Sequence, residues 1–89
     1  FVKKVLIYQT LSETEFGLRP EDPGFRPNCF VDISRFLKKK LEILKIYKTE
    51  IQPHPFPRSV DSVRAQAILW GSYSNCKYAE AFITLKEIL

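Results

Sequence analysis

Three prolines within six residues, Pro53, Pro55 and Pro57, cut the second half of this chain in two. Proline fixes φ and carries no amide proton, so no helix interior runs through Gln52 to Pro57. Whatever lies on either side must be a separate element. On the N-terminal side Leu37, Leu41 and Leu44 recur at i, i+4 and i+7, flanked by Phe36, Ile43 and Tyr47, with lysines opposite. That is one apolar stripe of a helix that packs on something. On the C-terminal side Ser59 is placed to cap a second helix, in which Val60, Val63, Ala67 and Trp70 share a face and Gly71 is a break or C-cap. Ser72 to Lys77 reads as polar loop, or as a continuation of that helix.

Strand patterns bracket the helices. Val2 to Gln9 holds the run Val5-Leu6-Ile7-Tyr8, whose continuous apolar character suits a strand covered on both faces, as in a parallel sheet. Cys29 to Ile33 is a second short strand, with Asp32 or Ser34 offering an N-cap oxygen to the first helix. Phe82 to Leu85 is a third. Thr10 to Pro27 joins the first two strands through Pro20, Pro23, Gly17 and Gly24, a connection long enough to serve as a lid or to be a simple excursion. The order is strand, loop, strand, helix, loop, helix, strand, an α/β pattern.

Composition narrows the class. The chain has 89 residues, 45% of them hydrophobic, which is globular rather than disordered. No apolar run approaches the roughly 20 residues of a membrane-spanning helix. It opens on Phe1 and has no methionine, so it reads as a fragment or processed piece, a single partial domain over residues 1–89. Cys29 and Cys76 are too few for a disulfide framework and read as separate reduced thiols, in keeping with a cytoplasmic setting. The net charge of +4 is carried by residues 35–50, where six bases face two acids. Such a segment is a solvated helix face or a phosphate-binding face. Lys38, Lys39 and Lys40 have no interleaved aromatics, which makes nucleic acid a poor partner.

Few side chains are fit for chemistry. His54 is the single histidine and the one group suited to moving a proton near neutral pH, which makes it the catalytic candidate; the alternative is a histidine that fixes its proline-rich turn. Arg58 is a candidate clamp for a sugar hydroxyl or phosphate, or else a partner of Asp61. Glu80 needs a partner if it faces a core, and Arg64 is the candidate for a structural ion pair. Asp32 reads as a cap rather than a base.

Five segments in order carry a resemblance: Pro27-Asn28-Cys29-Phe30-Val31-Asp32-Ile33, the lysine-rich helix running into Tyr47-Lys48, Pro53-His54-Pro55 with Arg58-Ser59, Arg64-Ala65 with Gly71, and Tyr78-Ala79-Glu80-Ala81-Phe82. Over residues 27–82 the chain resembles the C-terminal portion of the PIG-L / LmbE-like family of zinc-dependent N-acetylglucosamine deacetylases. It departs from the family in the inserted Phe56-Pro57 and in Cys29 and Cys76. The resemblance implies a Rossmann-like layered fold, of which this is the C-terminal part, and hydrolysis of the acetamide of an N-acetylated amino sugar. It implies zinc in the parent enzyme, held by an upstream His-Pro-Asp-Asp motif and a later histidine, neither of which has a counterpart here. No metal and no activity are then expected of these residues alone. His54 and Arg58 are implied at the substrate pocket or a subunit interface, and the partners implied are the remainder of the domain, the amino sugar and further copies of the chain. Two other readings compete: a basic binding module for anionic lipid or nucleic acid, and a non-catalytic structural or oligomerisation segment.

Overall fold

The computed structural model describes residues 1–11, 21 and 24–89. The elements follow the expected order: β1 (Lys4–Tyr8), β2 (Cys29–Asp32), α1 (Leu37–Leu44), α2 (Val60–Ser74) and β3 (Ala79–Glu87). Most of the lid reading of Thr10 to Pro27 lies outside the described residues. The chain is mixed α/β and divides into two compact units, Phe1–Phe30 with Ala81–Leu89, and Val31–Glu80. The strands form a three-stranded sheet in the order β1-β3-β2.

In the first unit β1 pairs antiparallel with β3, from Lys4 opposite Glu87 to Tyr8 opposite Phe82. The expectation of a parallel strand covered on both faces is corrected: β1 is an edge strand, with Ile7 41% and Tyr8 68% exposed. Continuous hydrophobicity reports the absence of alternation, but it does not encode the direction of the partner strand. The register slips between Val5 and Leu6, so that Leu85 is passed over as the extra residue of a bulge. Asn28 joins on the other side of β3: its amide donates to the Phe82 carbonyl at 3.0 Å, and its Oδ1 accepts the Thr84 amide at 2.7 Å.

The second unit is built on α1 and α2, which pack against each other. Its buried apolar residues are Ile33, Leu37, Leu41, Val63, Ala67 and Ala79. Leu37 and Leu41 are thus the inward part of the leucine stripe, while Phe36, Ile43 and Tyr47 remain exposed. Beyond Leu44 the helix tightens: Ile46 and Tyr47 donate to the carbonyls three residues back, of Ile43 and Leu44. The helix therefore stops short of Tyr47-Lys48.

The start of α2 agrees with its sequence. Ser59 is extended (φ −116°, ψ 160°) and its Oγ accepts the Ser62 amide at 3.0 Å. Such a cap contributes about 1 kcal/mol. Gly71 does not end this helix, which runs on to Ser74 and closes at Asn75 in the left-handed conformation (φ 59°). The Asn75 and Cys76 amides both donate to the Gly71 carbonyl. Gly71 is needed for a different reason: a Cβ there would meet the carbonyl oxygens of Cys76 at 2.6 Å and Lys77 at 2.7 Å.

Candidate functional site

The proline segment forms a closed loop in the second unit. The Gln52 amide donates to the Arg58 carbonyl at 3.1 Å, and the Arg58 guanidinium bonds Glu50 Oε2 at 3.2 Å. Inside this closure the Phe56 amide donates to the Pro53 carbonyl at 3.0 Å, completing a turn around His54 and Pro55. Loop and helix end together enclose a cleft of about 380 Å³, lined by Lys45, Lys48, Gln52, His54 and Asp61 among others. Ser59 forms part of the same wall, although its hydroxyl is occupied with Ser62.

Among the described residues neither Lys45 nor Lys48 has an ion pair. Asp61, the acid in the cleft, is engaged by Arg64 at 3.4 Å. The cleft is therefore cationic, and its cations are available. Sequence reasoning assigned the lysine excess mainly to a solvated face and missed Lys45 as a lining residue. No spacing marks them in advance: α1 closes at Leu44, and the cleft exists only because the later proline turn returns to Lys45 and Lys48.

The remaining candidates are distributed differently from expectation. His54 is exposed and lines the cleft. Arg58 is not paired with Asp61; it bonds Glu50 and fastens the base of the loop. The expected Arg64–Glu80 pair is also corrected. Glu80 bonds Lys40 of α1 at 3.2 Å, and Arg64 turns to Asp61 one helical turn back. Ala79 and Ala81 are the buried residues of β3, so Glu80 occupies the opposite, half-exposed side of the strand, within reach of α1. Pairs this accessible contribute about 0.2–1 kcal/mol each.

Asp32 caps no helix. Its Oδ1 accepts the Ser34 hydroxyl at 2.6 Å and the Ser34 amide at 2.9 Å, while Ser34 Oγ accepts the Tyr78 amide at 3.2 Å. This links the end of β2 to the approach of β3. The α1 N-cap position is Phe36, which makes no side-chain cap, and the Phe36 and Leu37 amides turn back to the Ile33 carbonyl instead. The Ser34 hydroxyl first, then its amide, holds the Asp32 carboxyl below the ordinary aspartate range, against a small opposing desolvation. Because the folded value is lowered, this contribution to stability is present above the ordinary range. It fades as pH falls from there through the folded value. Asp32→Asn is expected to flatten that part of the acid limb when unfolding free energy is measured against pH; an unchanged acid limb would remove Asp32 from the account.

A second cleft, of about 350 Å³, is lined by Ser34, Leu37, Lys38, Glu42, Arg64 and Tyr78 among others. Cys29 and Cys76 are both free thiols and half-buried. Among the described residues no three histidine, cysteine, aspartate or glutamate side chains stand together as a metal site. Among them, too, no helix is long and apolar enough to cross a membrane. Comparison with protein-family models, with curated proteins and with solved structures finds no match.

Proposed function

We propose that these residues are the C-terminal part of a cytoplasmic, metal-dependent hydrolase that deacetylates N-acetylglucosamine-type amino sugars, the zinc being held by another part of the parent protein. The observation that carries this reading is convergence. Lys48, Pro53, His54 and Ser59, drawn from separate segments of the resemblance, line one cleft. Ser34, Arg64 and Tyr78, from or beside the other segments, line the second. Residues that matter only for local folding have no need to meet at concave surfaces; residues that border a substrate do.

The Rossmann-like layering belongs to this proposal. Its support is the apolar surface left open on individual elements: Ile68 and Tyr73 on α2 are 50% and 70% exposed, and α1 carries an outer groove of Phe36, Ile43 and Leu44 rimmed by Lys39 and Lys40. The rest of a layered domain, or a second copy, would cover such faces. In this reading His54 holds substrate at the cleft mouth, and Arg58 fixes the loop that presents it.

The test is acetate release from N-acetylglucosamine and its glycosides by the natural protein that contains these residues. Acetate release is expected, and His54→Ala is expected to raise KM about tenfold with little change in kcat, the pattern of a lost binding contact. A folded natural protein that releases no acetate from any of these sugars would overturn the proposal.

A further inference from the structure

We infer that the cleft between the end of α1 and the proline turn binds a small phosphomonoester dianion. The inference concerns the same cleft that the deacetylase reading gives to substrate, but it rests on charge and geometry alone, so phosphate binding and acetate release can fail separately. Lys45, Lys48 and His54 line a single concavity, and neither lysine is spent on an acid among the described residues. Asp61 is engaged by Arg64 at 3.4 Å and Glu50 by Arg58 at 3.2 Å, while Glu42 borders the neighbouring cleft beside Lys45 without an ion pair to it. Residues 35–50 also carry the whole net charge of +4, so the field at the helix end is positive before any ligand arrives.

The attraction comes from side chains. The first turn of α2 is already capped by Ser59 and carries Asp61, which opposes an anion there. Each ammonium is a compact charge with three donors, suited to a phosphoryl group, and Gln52 adds an amide donor from the closed loop. The volume of about 380 Å³ admits a phosphate with a small carrier. The apolar lining is Ile51, Pro53 and Val60, and no Phe, Tyr or Trp joins His54 to make a stacking platform for successive bases, so a nucleic acid strand is disfavoured.

The experiment is a titration of the full chain, followed by amide proton–nitrogen correlation spectra at low salt, with inorganic phosphate, with glucose 6-phosphate and with vesicles containing phosphatidic acid. Both soluble phosphates are expected to give saturable shifts at Lys45, Lys48, Gln52 and His54, with a Kd on the order of 1 mM. Lys45→Gln and Lys48→Gln are each expected to weaken binding about tenfold, with spectra unchanged outside the cleft, since both side chains are exposed. Lys39→Gln, outside the cleft, is expected to leave the affinity as it was. Absence of saturable shifts, an unaltered affinity in the double variant, an equal loss in Lys39→Gln, or a response to vesicles alone would each overturn the inference.

Discussion

Replacing Gly71 with alanine is expected to destabilise the fold by about 2–4 kcal/mol, the cost of forcing atoms into a filled space. In an open helix the same change would stabilise by about 1 kcal/mol. Packing reverses the sign here. The new Cβ would lie 2.6 Å from the Cys76 carbonyl oxygen and 2.7 Å from that of Lys77, distances that real Cβ atoms do not tolerate. Both are backbone atoms, so no rotamer change relieves the clash. Either the left-handed turn at Asn75 opens or the approach to β3 shifts, and with it the Tyr78 amide bonded to Ser34. Denaturant unfolding of the variant measures the effect directly; a variant as stable as the parent would mean that α2 and the Cys76–Lys77 backbone lie farther apart than described.

Leu41→Ala is the second large effect, expected to cost about 2–5 kcal/mol through lost burial and the cavity left behind. Leu41 is 7% exposed on the inward side of α1, next to Leu37 on the same face. A domain of this size has a total stability of about 5–15 kcal/mol, so the loss would be a large share of it. Ile43→Ala on the same helix should cost under about 1 kcal/mol, because Ile43 is 46% exposed. Chemical unfolding of the two variants side by side distinguishes the faces. Equal losses would show that α1 is buried on both.

These positions also show what could be read from the chain beforehand. The leucine spacing placed α1, the serine before Val60 placed the start of α2, and the prolines placed the break between them, because each depends on local geometry. The antiparallel pairing of β1 was not legible, since strand direction depends on a partner 74 to 83 positions away in the chain. Arg64 and Glu80 were matched by charge alone, yet helical spacing gave Arg64 the nearer Asp61 and strand alternation turned Glu80 toward Lys40. Gly71 looked like a helix stop, although its role is set by the return of the chain at Cys76 and Lys77. For the site, His54 was legible as a lone titratable group in a turn. Its company, Lys45 and Lys48, was not, because a helix face gives no sign that a later loop will fold against it.

We propose that these residues complete a metal-dependent deacetylase whose zinc is held elsewhere in the parent. Zinc stoichiometry of the natural protein, measured by elemental analysis beside acetate release, tests it most directly. About one zinc per chain is expected, with acetate release lost on chelation and recovered when zinc is restored. A folded natural protein that retains no zinc and liberates no acetate would contradict it.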